Sequence, residues 1–368
     1  LLKALGNKIF LDRYAKKSDN LKEGDGVLAL HNGQALLGTV LSVSQNSVEL
    51  KLESGETITS DKSNVAKPCE TLEMMFQRVS AAVASANKNN SAGVAVDNFL
   101  EKWTLEFFHL LSDLKFIPGG RILASAGNES LTLYNCFVLP SPADRARTSG
   151  LLKDSREGIL ETLRQMVDIM SRGGGAGINL SSLRPKDSLV RGVSGRSSGA
   201  VSWGALYSFA TGLICQGGSR RGALGLVMND WHPDVRQLVS CKRQEGGAFT
   251  NANISVAISY DFMRAVENDS DWQLVFPDTC HPDYDGKWDG DLQTWVDLGY
   301  PVLTHKTIKA RKLWDSIVEN SWGNGEPGIW FIDKANAMSN SHYLGRLTCT
   351  NPYNLLFSAG LTLQSQKR

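Results

Sequence analysis

Apolar residues recur at helical spacing in the first part of the chain. Leu2, Leu5, Ile9, Phe10 and Tyr14 predict a helix over Leu1–Lys17. From Leu21 to Lys67 the pattern changes to short apolar runs divided by turn residues: Val27–Leu30, Leu36–Val43 and Val48–Leu52, with Asn32-Gly33 between the first two. Asn-Gly between apolar runs is a hairpin signal, because both turn positions need φ > 0. The stretch predicts a small β-barrel-like insert of about five strands, read as a surface module or as a binding element. Pro68 closes it. Leu72, Met75, Phe76, Val79 and Val83 form one stripe over Glu70–Ala86, and Phe99, Trp103, Phe107 and Leu110 another over Val96–Leu114. Both predict helices whose stripes are core, joined by the polar loop Asn87–Ala95.

Pro118-Gly119-Gly120 ends this helical region and is expected to open a catalytic domain. Leu133–Leu139 predicts a strand buried on both faces. Asp154–Met170 predicts a helix, with Asp154 or Ser155 as its N-cap and Glu157 in the first turn. Strands then alternate with helices to about Asp278, a pattern of α/β barrels and open sheets. Asp278–Val302, rich in Asp, Gly and Tyr, reads as an extended surface excursion. A helix is expected over Ile308–Asn320 and a strand over Gly328–Ile332. The expected organisation is an N-terminal helix (1–20), a β insert (21–68), a helical region (69–115), an α/β domain (116–352) and a tail (353–368).

Composition narrows the partners. A chain of 368 residues with net charge +1 offers no electrostatic case for nucleic acid. It has no apolar run of membrane-spanning length and no signal peptide. It begins with Leu1 rather than Met, which suggests a fragment at that end. Its six cysteines form no CxxC pair, which argues against a structural zinc site and for reduced, cytoplasmic thiols. Cys69, Cys215, Cys241 and Cys280 are read as small buried hydrophobes. The six histidines show no HxxxH or HExxH spacing, so no metal site is expected; His232, before Pro233, reads as a turn residue.

The stretch Ser171–Trp231 carries the candidate chemistry. Glycine-rich turns at Gly173–Gly177, Gly192–Gly199 and Gly217–Gly225 alternate with apolar runs and carry Arg172, Arg184, Arg191, Arg196, Arg220 and Arg221. Glycine lets a backbone approach a ligand closely, and arginine presents a planar fork to phosphate oxygens. Tight turns with solvated arginines are the plainer reading of any single loop. No GxxxxGK[ST] occurs and Gly173–Gly177 is no dinucleotide fingerprint. The residues alone point to a nucleotide or phosphate site in an α/β enzyme.

This stretch, with Tyr134-Asn135-Cys136-Phe137-Val138-Leu139, Asp230-Trp231-His232-Pro233-Asp234, Thr250–Val256 and Met338-Ser339-Asn340-Ser341, resembles the catalytic subunit of ribonucleotide reductases over about Glu70 to Pro352. The likeness is strongest to the adenosylcobalamin-dependent (class II) branch of cyanobacterial type. It implies the first half of that family's ten-stranded α/β barrel, preceded by a helical region with a small β insert. It implies reduction of a ribonucleotide by radical chemistry for DNA synthesis, with adenosylcobalamin as cofactor. It also implies a thioredoxin-like reductant, a dNTP effector and effector loops at the interface of a possible homodimer. Against this family the polar segment Ala143–Leu152 is an extra loop.

Residue by residue, the resemblance makes Cys136 the first redox cysteine. Asn135, Gly175 and Arg220 contact substrate, and Asn351 belongs to the finger loop. Asp154, Ser155, Arg156, Arg184 and Arg191 hold the effector, with Arg191–Gly199 and Gly217–Gly225 as the specificity loops. Ser208 stands where other cobalamin-dependent members have an aspartate facing the effector. The finger loop should read Asn-Pro-Cys-Gly-Glu, but here Asn351-Pro352 is followed by Tyr353-Asn354-Leu355. Tyr353 takes the place of the radical cysteine, and Cys349 stands too early to replace it. The expectation is a truncated chain with a foreign tail, inactive alone. The alternatives are a class I large-subunit fragment and a catalytically dead nucleotide-binding remnant. Cys136 and the arginine-bearing turns are expected to converge on one pocket.

Overall fold

The structure, a computed structural model, describes residues 4–31, 34–86, 96–128, 131–139, 154–190, 195–216, 220–242, 249–340 and 342–351. The chain divides into two compact units. One holds Leu1–Tyr134 with Gly217–Arg220, the other Asn135–Gln216 with Arg221–Arg368.

In the first unit, the alternating residues after Lys16 form an antiparallel sheet of six strands, one more than the pattern suggested. The additional strand, Lys17–Ser18, pairs with Val65–Pro68 and is too short to leave a periodic trace. Gly26–His31 pairs with Gln34–Val43 out to His31 opposite Gln34, the residues that flank Asn32-Gly33. Val27, Ala29, Val40, Val48, Leu50 and Val65 turn inward and close the core of the sheet. Helices Ala4–Arg13, Leu72–Ser85, Val96–Ser112 and Gly120–Ser125 accompany it. Phe10, Met75, Phe76, Val79, Leu111 and Leu123 bury a second core. A buried ion pair braces this unit. Arg78 Nε and Nη2 meet the two Glu70 oxygens at 2.6 and 2.9 Å, and Nη2 also donates to the Leu123 carbonyl at 3.1 Å. Glu70 Oε2 takes the Lys16 backbone N–H at 3.2 Å.

The second unit is α/β. Its strands Cys136–Val138 (β1), Gly175–Asn179 (β2), Leu224–Asn229 (β3), Asn253–Ile258 (β4) and Gly328–Phe331 (β5) lie side by side in chain order, and every neighbouring pair is parallel. This is the expected partial barrel. Alternation splits the sheet into two unlike faces. Ala176, Ile178, Leu224, Leu226, Met228, Ile254, Val256 and Ile258 form the outer face. They are buried with apolar residues of helices Arg156–Ser171, Ala200–Leu213, Val235–Ser240, Tyr260–Glu267 and Ala310–Asn324. The inner face carries Cys136, Gly175, Gly177, Asn179, Gly225, Asn229, Asn253 and Ser255, short or polar side chains, together with the apolar Val138, Val227, Ala257 and Trp330. No described helix is long and apolar enough to cross a membrane.

Several expectations need correction. The strand expected over Leu133–Leu139 shrinks to Cys136–Val138, which is only half-buried. It is the outermost of the five strands, so among the described residues it is paired on one side only. Asp278–Val302 is no extended excursion. Asp271–Pro277 and Val302–Lys309 form an antiparallel hairpin, and between them Tyr284–Lys287 and Leu292–Asp297 are helical. Phe276, Tyr284, Trp288 and Trp295 bury their rings together, which supplies the apolar area that the polar composition concealed. Cys69 and Cys280 are exposed rather than buried, both lying where a strand has ended. Cys241 is half-buried, and desolvation pushes its thiol up to about 12. The Cys215 side chain, the loop Asn87–Ala95 and the segment Ala143–Leu152 lie outside the described residues.

His232 does more than turn the chain. It is fully buried, with Nε2 2.9 Å from the Leu183 carbonyl and Nδ1 accepting the Asp234 backbone N–H at 3.0 Å. Those partners select the neutral Nε2–H tautomer, and burial holds its pKa down. Next to it, Asp230 accepts the Ser259 N–H at 2.6 Å and the Ser259 hydroxyl at 2.8 Å, both through Oδ2. Its Oδ1 has no hydrogen-bond partner among the described residues. Desolvation raises this carboxyl to about 7. The folded protein therefore holds a proton that the unfolded chain has released above about pH 4. Stability should fall as pH rises from about 4 to about 7, by up to ~4 kcal/mol, and level off above. Urea titrations across that range measure the slope, and Asp230→Asn should flatten it.

Candidate functional site

The inner face is shaped by what lies on it. An added Cβ at Gly177 would sit 1.9 Å from the Thr350 carbonyl oxygen and 3.4 Å from Cys349 Sγ. Only glycine lets the segment Leu347–Asn351 lie this close to the sheet. Side-chain amides hold the segment. Asn179 Nδ2 donates to the Thr348 carbonyl at 2.5 Å and to Asn229 Oδ1 at 2.9 Å. Asn336 takes the Leu347 N–H at 2.7 Å and donates to its carbonyl at 3.0 Å. Cys349 is fully buried with Val227, Ala257, Trp330, Ile332 and Leu347, and burial pushes its thiol well above the ordinary range. It is packed and protonated, unlike a reactive thiol.

Cys136 stands beside Gly175 in register, half-buried, and the Gly175 N–H donates to the Asn135 carbonyl at 2.8 Å. Asn135 itself is exposed. The structure thus brings Asn135, Cys136 and Gly175 together at the beginning of β1 and β2. It lays Thr348–Thr350 on the same face, two residues along β2, with half-buried Asn351 following. The side chain of Arg220 lies outside the described residues.

The second group of expected residues gathers elsewhere. Ser155 caps Arg156–Ser171, its hydroxyl accepting the Gly158 N–H at 3.1 Å. Arg156 is exposed and, among the described residues, meets its neighbour Glu157 at 3.4 Å. Asp154 and Arg184 form a buried ion pair with Arg184 Nε 3.0 Å from Asp154 Oδ2. The remaining guanidinium nitrogens donate to the Leu189 and Asp154 carbonyls at 3.2 and 3.3 Å. The Tyr284 hydroxyl donates to Asp154 Oδ2 at 2.5 Å. Burial raises the Asp154 pKa, and the charge of Arg184 opposes that rise. Every nitrogen of the Arg184 fork is committed within the protein, so its first duty is structural. Arg191 lies outside the described residues.

Among the described residues, Cys136 and Arg184 lie toward opposite ends of β2. Cys136 and Gly175 mark the start of β2, whereas Arg184 follows its end at Asn179. The strand alone separates them by roughly 13 Å at about 3.3 Å per residue. Two residues escaped the sequence reading. Tyr284 was hidden in the apparent excursion. Asp234 accepts the Lys186 N–H at 3.1 Å and the Ala200 N–H at 2.9 Å, and so anchors both ends of the loop between Arg184 and helix Ala200–Leu213. The Gly199 hinge beside it has φ +89°, and a Cβ there would meet Asp234 Oδ2 at 2.8 Å. The His-Pro-Asp motif was the available signal. Ser208 is buried and accepts the Asn251 N–H at 3.1 Å. Among the described residues no group of three His, Cys, Asp or Glu is placed to hold a metal.

Residues 135–353 match the family model for the barrel domain of ribonucleotide reductase, and residues 59–130 match that for its all-alpha domain. The chain belongs to the ribonucleotide reductase family. It is 34% identical over 265 residues to a vitamin B12-dependent ribonucleoside-diphosphate reductase of Thermoplasma acidophilum, covering 72% of this chain and 29% of the relative. It is 30% identical over 286 residues to the protein of the same name from Mycobacterium tuberculosis, covering 78% and 36%. It is also 30% identical over 252 residues to the ribonucleoside-diphosphate reductase large subunit of vaccinia virus, covering 67% and 31%. The chain therefore spans about a third of the length of these curated relatives. The barrel match starts at Asn135, beside Cys136, and runs through the Thr348–Asn351 segment.

Three substitutions test this geometry. Gly177→Ala should force Leu347–Asn351 off the sheet and lower stability by about 1–3 kcal/mol or more, an overpacking cost read by urea denaturation. Arg184→Met should cost about 3–5 kcal/mol, because it strands the buried Asp154 carboxylate. By the same denaturation assay, Arg156→Ala should change stability by less than about 0.5 kcal/mol.

Proposed function

We propose that this chain is the substrate- and effector-binding part of a ribonucleotide reductase of the adenosylcobalamin-dependent class. Cys136 serves as the first redox cysteine. The observation that carries the reading is the inner face. A thiol stands in register with a glycine, on the face that also bears the Thr348–Asn351 segment. The reaction exchanges the ribose 2′-hydroxyl for hydrogen. A radical first removes the 3′-hydrogen, and two thiols supply two electrons as they become a disulfide. Asn135 and Gly175 orient the ribose, and Cys136 delivers hydrogen to it. Asn351 belongs to the finger loop that carries the radical thiol in the family. Asp154, Ser155, Arg156, Arg184 and Arg191 form the site of a regulatory deoxynucleoside triphosphate, and Arg220 reaches from the second specificity loop. The names of the relatives point to diphosphates as substrates. A thioredoxin-like reductant would restore the dithiol, and the effector loops would meet in a homodimer.

Adenosylcobalamin would supply the radical from its Co–C bond, and the likeness to B12-dependent relatives supports it. The described residues present no donor set that fits a corrin ring, and Thr350 fills the face over Gly177. The likeness to the vaccinia large subunit supports a second reading, a class I reductase whose radical arises on a separate subunit. In either class Tyr353 stands in place of the radical cysteine, so this polypeptide binds nucleotide without turning it over. Isothermal titration should register a ribonucleoside diphosphate on the purified chain, with binding lost in Gly175→Val. Incubation with adenosylcobalamin and dithiol should yield no deoxyribonucleotide. Product formation would overturn the assignment of inactivity, and absence of binding would overturn the site.

A further inference from the structure

The segment that the composition disguised as a loose excursion ends in the effector group. Tyr284 is 2% exposed, and its ring stacks on Trp288 at 6.4 Å and 17°. Trp295 meets it edge-on at 6.0 Å and Phe276 at 6.5 Å. Such a ring has little freedom, so its hydroxyl is a fixed donor. That donor meets Asp154 Oδ2 at 2.5 Å, and the Arg184 guanidinium lies over the same ring, 5.6 Å from its centroid. The Trp288 indole N–H donates to the Ser182 carbonyl at 2.8 Å, which ties the aromatic cluster to the chain just before Arg184.

The acceptor sites of Asp154 are unequally used. Oδ2 takes Tyr284 and Arg184 Nε, while Oδ1 takes the Arg184 backbone N–H at 3.3 Å. A carboxylate offers about four lone-pair sites in all. Among the described residues, Oδ1 therefore retains capacity for one more donor, and two donors clamping Oδ2 fix its direction. A hydroxyl of a ribose is a donor of the right kind.

We propose that Tyr284 is a positioning residue for the regulatory nucleotide. Its hydroxyl orients the Asp154 carboxylate so that Oδ1 can accept the 3′-hydroxyl of a deoxynucleoside triphosphate. The proposal rests on the reading of Asp154 as part of the effector site. It assigns to the aromatic hairpin a task that neither its composition nor its distance along the chain announces. A preoriented acceptor binds better than one that must be ordered on binding. The penalty for deleting the ligand's 3′-hydroxyl therefore measures how well Asp154 is held.

The test compares dTTP with its 3′-deoxy analogue ddTTP by isothermal titration on the full 368-residue chain. The wild type should bind dTTP roughly tenfold more tightly than ddTTP, the size of a hydrogen bond to a charged acceptor. Tyr284→Phe keeps the ring and its stacking, and should reduce that ratio to about two or less by removing the bond. A purely structural role would weaken both ligands alike and leave the ratio unchanged. If the phenylalanine variant does not fold, 3-fluorotyrosine placed at 284 is a stronger donor of nearly the same shape and should raise the ratio. Asp154→Asn separates the two levels of the argument. A wild type that does not distinguish the ligands overturns the effector reading and this proposal with it. Discrimination that is lost in Asp154→Asn but retained in Tyr284→Phe, or unmoved by the fluorinated residue, overturns the proposal alone.

Discussion

The contact between Gly177 and the Thr350 carbonyl governs the second unit. A methyl group at residue 177 would overlap that oxygen at 1.9 Å, so the sequence must be glycine there for the chain to return across its own sheet. The return is what gives the inner face its contents. Leu347 and Cys349 join Val227, Ala257 and Trp330 in a compact apolar cluster, while Asn179 and Asn336 satisfy backbone groups of the returning segment. Backbone polar groups brought onto a buried face need such partners, and amide side chains that both donate and accept supply them. The small inner residues around Cys136 follow from the same requirement.

Helices cover the outer face in the usual manner of a parallel sheet, and its near-continuous apolar strands bury there. The group of Asp154, Arg184 and Tyr284 is built by different means. Asp154 lies just before a helix cap, Arg184 just beyond a strand, and Tyr284 in a hairpin more than a hundred residues away. Their union is an ion pair removed from water, which is stable only while each polar atom has its partner. This explains why Arg184 spends its whole fork inside the protein. Asp234 anchors the loop that follows, at Lys186 and at Ala200.

Much of this was legible in the sequence, for physical reasons. Long amphipathic stripes such as Leu163–Met170 and Leu72–Val79 fix helices, although Leu160 and Val83, read as part of them, are exposed, and Ser155 announces the start of one of them. The alternation of strands and helices gave the α/β class, and the motif around Cys136 gave the family. What escaped depends on contacts far apart in the chain. The hairpin around Tyr284 looked polar because its aspartates and glycines outnumber its rings, yet four buried aromatics decide its fold. His232 reads as a turn until Leu183 and Asp234 are seen to hold both its nitrogens. The two candidate groups read as one because glycine and arginine recur through a single stretch. Sequence proximity carried no information about which end of β2 each would reach.

The account stands or falls on the inner face, and thiol accessibility reads it directly. Alkylation of the native chain, followed residue by residue with mass spectrometry, should label exposed Cys69 and Cys280 fastest and half-buried Cys136 more slowly. Cys349 should be modified only once the protein unfolds. Labelling of Cys349 in the native state at a rate comparable with Cys280 would mean that the returning segment does not lie against Gly177, and would contradict the account.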